Sequence, residues 1–106
     1  MTQFDTSHEV IMVHVYLTEG EKLLKQILTY LHEDHNVQGV TVFRGIAGFG
    51  QSGVMHSSSL LTLSMDLPII VEFFDKPETI SKIIKHLKTI LKPEHIVFWR
   101  ATTVIE

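Results

Sequence analysis

The sequence predicts an α+β fold in which two β-α-β units share one four-stranded antiparallel sheet. Four segments are rich in β-branched and aromatic residues, and two others carry apolar residues at helical spacing. They alternate in the order β-α-β, β-α-β, which in one sheet gives the ferredoxin-like arrangement with both helices on the same face. The length of 106 residues allows one domain. We assign residues 9–106 to it and residues 1–8 to a loose tail.

The first unit begins with a strand at Val10–Leu17, of which both faces are largely apolar. One face holds Ile11, Val13, Val15 and Leu17, and the other holds Val10, Met12, His14 and Tyr16. Thr18–Glu21 fits a capping box at the start of a helix. That helix carries an apolar stripe and is expected to end near His35; the stripe is Leu23, Leu24, Ile27, Leu28 and Leu31. Gly39–Phe43 supplies the second strand.

The second unit repeats this pattern. Ile69–Phe74 alternates as a strand, with Ile69, Val71 and Phe73 opposite Ile70, Glu72 and Phe74. Asp75 is expected to cap the next helix, with Glu78 three residues later. Its stripe runs at spacings of three and four until Lys92-Pro93 ends the helix; the stripe is Ile80, Ile83, Ile84, Leu87, Ile90 and Leu91. Ile96–Val104 is the last strand.

With both helices on one side, the other face of the sheet is left uncovered. Either set of side chains from the first strand would place several large apolar groups there, more than a monomer usually exposes. We therefore expect the chain to form an oligomer through this face.

Composition excludes several classes of protein. The net charge is −3 and no run of Lys and Arg occurs, so nucleic acid is not an expected partner. No cysteine is present, which excludes disulfides and thiolate chemistry. No apolar run reaches the roughly 18–20 residues needed to span a bilayer. Residues 1–7 lack the pattern of a signal peptide, so we expect a cytoplasmic protein.

The function is expected in the glycine-rich connection at residues 45–66. Four of the six glycines lie within Arg44–Gly53. The connection is far longer than the typical loop of about 4–6 residues, and such loops are commonly functional. Backbone N–H groups of a glycine loop can form an anion-binding nest, and an arginine beside it can bind phosphate through two parallel hydrogen bonds.

The segment Phe43–Gly50, with its R-G-I-A-G-F-G run, resembles a small bacterial family of PII-like signalling proteins. The resemblance continues through Gly53–His56 and Leu60–Glu72 and covers nearly the whole chain from about Val10 onward. It implies a ferredoxin-like fold, assembly as a homotrimer, and a small anionic effector. A membrane transporter or channel is the partner that the resemblance suggests.

In the wider PII superfamily a Gly-Phe-Gly turn lies at the base of a long flexible loop. Backbone groups of the turn and a nearby glutamine contact adenine nucleotide in a cleft between subunits. The resemblance therefore implies a binding site at Arg44, Gly45, Gly48, Phe49, Gly50 and Gln51, with adenine nucleotide as effector and no required cofactor. This chain lacks two features of the superfamily. In place of the glycine-rich turn before the last strand it has Leu91–Glu94. In place of a pair of arginines near the C-terminus it has Arg100 alone.

Three other interpretations fit parts of the sequence. Gly48–Gly53 matches G-x-G-x-x-G, but no helical stripe follows it, which argues against a dinucleotide-binding domain. A small phosphohydrolase of the acylphosphatase type would use Arg44 and an asparagine, and Asn36 is the only one present. A divalent-metal responder would use His32 and His35, or His56. We assign no catalytic residue and no metal ligand.

Overall fold

The computed structural model describes residues 7–18, 22–49, 56–57 and 67–104. The elements in chain order are strand β1 (Ser7–Thr18), helix α1 (Leu23–Thr29) with a π-helical turn (Tyr30–Asp34), strands β2 (Gly39–Arg44), β3 (Ala47–Gly48), β4 (His56–Ser57) and β5 (Pro68–Asp75), helix α2 (Pro77–Leu87), a 3₁₀ turn (Pro93–His95) and strand β6 (Ile96–Val104). The long strands form one antiparallel sheet in the order β2-β5-β1-β6. The predicted α+β, ferredoxin-like fold is confirmed.

The core lies between one face of the sheet and the two helices. Its buried side chains come from the two central strands and from the inner faces of the helices: Val13, Val15 and Leu17 of β1, Ile69, Val71 and Phe73 of β5, Ile27 and Leu31 before β2, and Ile80, Ile83, Leu87 and Leu91 after β5. The odd-numbered side chains of β1 therefore face the helices. The sequence alone did not decide which set of side chains from the first strand lies on the uncovered face.

The opposite face of the sheet is covered by neither helix. Strand register places the following side chains on it, and we call this set the open face: Met12, His14, Tyr16, Thr41, Phe43, Ile70, Glu72, Phe74, Val97 and Trp99. Four of these remain 40–47% exposed, namely Tyr16, Phe43, Val97 and Trp99. Val10 shares their side of β1 but is itself buried. Apolar surface on this face is thus available for an interface, as the sequence predicted.

The predicted start of helix α1 at Thr18 is wrong, and the two bonds of the predicted capping box involve Glu21, which lies outside the described residues. Thr18 is the last residue of β1 and pairs with Pro68 of β5, so it is held in the sheet. Helix α1 begins only at Leu23, and its N-cap is Lys22, which makes no side-chain capping bond. The end of the helix lies where it was expected: Asn36 takes a left-handed φ of 45°, and the Val37 N–H donates to the Leu31 carbonyl at 3.2 Å.

The predicted N-cap role of Asp75 is also wrong. Asp75 ends β5, and extended Lys76 is the N-cap before Pro77. The Asp75 carboxylate is buried and accepts the Lys76 N–H at 2.7 Å, the Gln38 N–H at 3.2 Å and the Gln38 side-chain amide at 3.3 Å. It therefore joins the segment before β2 to the start of α2.

Two further boundaries differ from the expected ones. Helix α2 ends at Leu87, before the predicted Leu91, and the Thr89 hydroxyl and N–H both donate to the His86 carbonyl, at 2.6 and 2.9 Å. Strand β1 begins at Ser7, which pairs with Val104, so it includes two residues of the expected tail.

Within the described ranges, neither helix is long and apolar enough to cross a bilayer.

Candidate functional site

The glycine segment is held against the start of β5 by Pro68. The Gly45 N–H donates to the Pro68 carbonyl at 2.7 Å, which continues the pairing of β2 and β5 by one residue. A Cβ at Gly45 would lie 2.6 Å from Pro68 Cγ, and a Cβ at Gly48 would lie 3.2 Å from the same atom. Only glycine lets the backbone approach the proline ring this closely at residue 45. We call Arg44–Phe49, with Pro68 beneath it, the loop base.

The predicted connection at 45–66 contains a strand pair of its own. Strands β3 and β4 are antiparallel, with Ala47 opposite Ser57 and Gly48 opposite His56. The structure thus brings Arg44, Gly45, Gly48 and Phe49 together at the loop base; the other two predicted site residues, Gly50 and Gln51, lie outside the described residues.

The loop base presents three kinds of group for a ligand. Arg44 is exposed, and since its partner in the β2–β5 register is the core residue Ile69, it lies on the helix side of the sheet. A guanidinium can bind a phosphate with two parallel hydrogen bonds, and glycine N–H groups other than that of Gly45, which is bonded to Pro68, can add to them. Phe49 is 70% exposed and offers a ring on which a base can stack. This combination suits a nucleotide or another anion.

A second cluster of polar side chains lies in the middle of the open face. His14 Nε2 is 2.7 Å from Glu72 Oε2, and the two residues are direct partners across β1 and β5. The Trp99 ring stands edge-on to the imidazole, with ring centroids 4.8 Å apart. The Tyr16 hydroxyl lies 3.4 Å from His14 Nδ1. Sequence reasoning placed His14 at a possible interface but missed Glu72, because the signal that joins them is strand register rather than spacing.

Two of the histidines considered for a metal site, His32 and His35, make other contacts. His35 Nε2 lies 2.9 Å from the Tyr30 hydroxyl, while exposed His32 lies beside Glu33, with Nδ1 3.6 Å from its carboxylate. The Tyr30 ring also stacks at 4.2 Å on His86. Burial, with a smaller effect of Asp34, raises the pKa of Tyr30 above its usual value. Across the described residues no three His, Cys, Asp or Glu side chains are grouped to hold a metal ion.

The acylphosphatase-type pair of arginine and asparagine is not formed. Arg44 is the last residue of β2, whereas Asn36 precedes the first residue of that strand. A six-residue strand spans about 17 Å, so the two side chains lie toward opposite ends of the sheet. Asn36 instead ends the helical segment in its left-handed conformation.

The comparison of this sequence with protein families gives a match over residues 10–103 to DUF190, described as uncharacterized ACR, COG1993. The chain belongs to this family. One DUF190-like relative is the UPF0166 protein MJ1524 of Methanocaldococcus jannaschii, which is 31% identical over 91 residues, covering 81% of this chain and 82% of the relative.

Solved structures with a similar fold include CPII, a nitrogen regulatory PII-like protein from Thiomonas intermedia K12, bound to ADP, AMP and bicarbonate. It is 16% identical, with a TM-score of 0.65 over 92% of this chain and 88% of the other. CutA1 from Oryza sativa is 14% identical, with a TM-score of 0.55 over 95% and 84%. At these identities the likeness establishes the fold of this DUF190 chain, and the resemblance to PII-like proteins is confirmed at that level.

Proposed function

We propose that this DUF190 chain is a cytoplasmic PII-like regulatory protein without catalytic activity. It assembles as a homotrimer, binds a small anionic effector in clefts between copies, and controls a partner, a membrane transporter or channel, through residues 45–66. Adenine nucleotide is the proposed effector. The observation that carries the proposal is the loop base, where Gly45 packs on Pro68 in a segment that carries an exposed arginine and an exposed phenylalanine.

The ligand site comprises Arg44, Gly45, Gly48, Phe49, Gly50 and Gln51. Arg44 and the backbone N–H groups of Gly48–Gln51 meet the phosphates, and Phe49 contacts the base. The fold supports this assignment, since a similarly folded PII-like protein has been solved with ADP and AMP. The packing of Gly45 on Pro68 supports it as well, because it fixes the direction in which the segment leaves the sheet.

Assembly through the open face is supported by the chemistry of that surface. Among the described residues its centre is apolar and aromatic, and its one carboxylate, Glu72, is bonded to His14 of the same chain. An identical copy can therefore lie against it without leaving this carboxylate without a hydrogen-bond partner. Interface cores have this composition, enriched in aromatic residues and Met and depleted of charge. Covering each large exposed side chain stabilises by roughly 0.6–1.4 kcal/mol, since only 40–47% of its surface is still exposed.

The ligand proposal is tested by thermal unfolding of the chain with ADP, ATP, AMP and cyclic nucleotides at fixed chain concentration. A nucleotide at a hundred times its Kd stabilises the folded state by about 2.7 kcal/mol, which corresponds to a Tm increase on the order of 10 °C. Arg44→Ala is expected to lose most of this increase. Lys82→Ala, which removes the same charge from an exposed position on α2, should retain it. Equal responses of the two variants would contradict the role of Arg44.

The assembly is tested by sedimentation equilibrium, with the single tryptophan as a second probe. Trp99 lies on the open face and is 41% exposed, so its emission should shift to the blue as rising concentration drives association. A 12.1 kDa species at micromolar concentration would refute the assembly. Control through residues 45–66 predicts that ADP slows hydrogen exchange in peptides from that segment, and unchanged exchange would contradict it.

A further inference from the structure

The polar pair at the centre of the open face, His14 and Glu72, is already largely shielded from water in the single chain. An interface on this face would remove the water that remains. The His14 and Glu72 side chains keep only 20% and 29% of their exposure in the single chain. On β6 the residues beside His14 are Val97, its register partner, and Trp99. On β2 the residue opposite Glu72 is Thr41. An interface on this face therefore encloses His14 and Glu72 among uncharged neighbours.

Two other titratable groups lie nearby in the described part of the chain. The Tyr16 hydroxyl is 3.4 Å from His14 Nδ1. His95, from the 3₁₀ turn, places its Nδ1 3.0 Å from the Tyr16 backbone carbonyl, beyond the tyrosine. Glu72 is thus the only carboxylate in direct contact with His14 among these residues.

We propose that His14 and Glu72 make self-association of this chain proton-dependent: each copy takes up a proton at His14 as the open faces come together. The inference rests on the assembly proposed above and adds the chemical group that regulates it. The associated form buries an imidazolium and a carboxylate, which together carry no net charge. Association is therefore strongest on the acidic side of neutrality and weakens as the pH rises.

The direction follows from a comparison of the two charge states in a dry interface. With neutral His14, every copy buries an uncompensated Glu72 carboxylate, and copies meeting through the same face bring these negative charges together. Burial alone opposes a charged histidine, but a bond of 2.7 Å to a carboxylate is of the short, charge-assisted kind. Removing one charge of a buried pair is strongly unfavourable, so the paired state prevails.

The geometry accepts the proton without rearrangement. In both states Nε2–H donates to Glu72 Oε2. When His14 is protonated, Nδ1–H can donate to the Tyr16 hydroxyl oxygen, and when it is neutral, the hydroxyl can donate to Nδ1. Only a hydroxyl hydrogen has to turn. In the dissociated chain, water solvates both the neutral and the protonated state of His14. The assembly therefore favours protonated His14 more than the dissociated chain does, and this difference makes association depend on pH.

Sedimentation equilibrium between about pH 6 and pH 8, the interval in which histidine charge changes, tests this inference. For wild type the association constant should fall with rising pH, by up to about tenfold per chain for each pH unit if one proton is taken up. The double variant His14→Gln/Glu72→Gln keeps an amide hydrogen bond between the two positions and removes both titrating groups, so its association should be independent of pH. His32→Gln is the control: this histidine is 77% exposed on the π-helical turn, and its removal should leave the profile unchanged.

A measurement on wild type alone removes any dependence on how a variant folds. Dilution calorimetry in two buffers of different ionisation enthalpy counts the protons released on dissociation, and up to about one per chain is expected. An associated protein that releases none, or a His14→Gln/Glu72→Gln variant with the wild-type pH profile, would overturn the inference and leave the assembly standing. A chain that stays monomeric at every pH would overturn both.

Discussion

Replacing Gly45 with alanine is the sharpest test of the loop base. The added Cβ would lie 2.6 Å from Pro68 Cγ, while its next contacts, at 3.4 Å to the Pro68 carbonyl and 3.5 Å to Pro68 Cβ, are ordinary. Carbon atoms prefer to lie about 3.5–4.0 Å apart, so the overlap is about 1 Å against a rigid ring. Overpacking of this kind costs about 1–3 kcal/mol.

A smaller effect opposes this strain. Gly45 does not have a left-handed φ, so alanine can adopt its conformation, and the unfolded chain of the variant is less flexible. That difference stabilises by about 0.4–1 kcal/mol. We therefore expect Gly45→Ala to lower the free energy of unfolding by about 1–2 kcal/mol, with the clash outweighing the entropy gain.

The assay is urea unfolding followed by circular dichroism at fixed chain concentration. A shift of the unfolding midpoint with an unchanged m value gives the change in the free energy of unfolding. A double-mutant cycle isolates the contact. In a Pro68→Ala background the Cγ atom is gone, and Gly45→Ala should become neutral or stabilising. Gly48→Ala, whose Cβ would lie 3.2 Å from the same Cγ, should cost less than Gly45→Ala. If Gly45→Ala had the same cost in both backgrounds, the packing of the loop base on Pro68 would be refuted.

Three other predictions concern the folded domain. Phe73→Ala, at a fully buried position, should lower the free energy of unfolding by about 3–5 kcal/mol in urea, and a loss below about 1 kcal/mol would contradict its place in the core. Asp75→Ala should lower it by about 1–3 kcal/mol, because the N–H groups of Lys76 and Gln38 lose their acceptor; Asp75→Asn keeps an oxygen and should lower it less, and equal losses would argue against this role. The raised pKa of Tyr30 should make stability fall as pH rises above about 10, since the unfolded chain loses that proton first; urea unfolding of Tyr30→Phe should show a smaller fall, and an equal fall would count against the shift.

Much of the fold was readable because burial imposes a period on the sequence. The apolar stripe of α1 and its π-helical turn, with Ile27 and Leu31 buried, and the alternation of β5 both lie where the pattern placed them. Capping was misread at Asp75, which has the residue type of a cap but ends β5 and accepts the Gln38 N–H. A local motif cannot reveal such competition from residues distant in sequence.

The candidate site was predictable only in part for the same reason. The glycine-rich composition of Arg44–Gly53 is enough by itself to single out the segment. Its support by Pro68 depends on the register of β2 against β5, and the bond between His14 and Glu72 depends on the register of β1 against β5. Neither register can be deduced from the alternation of apolar and polar residues, because shifting a strand by two residues leaves the same side chains on the same face.

The strand order also bears on how the chain folds during synthesis. Strand β1 lies between β5 and β6, so both of its neighbours come from the second half of the chain, and β2 reaches it only through β5. A nascent chain that ends before residue 68 has no neighbour for its first strand. The sheet cannot be completed until β6 has left the ribosome. The first strand therefore stays without its native neighbours while residues 19–67 are made.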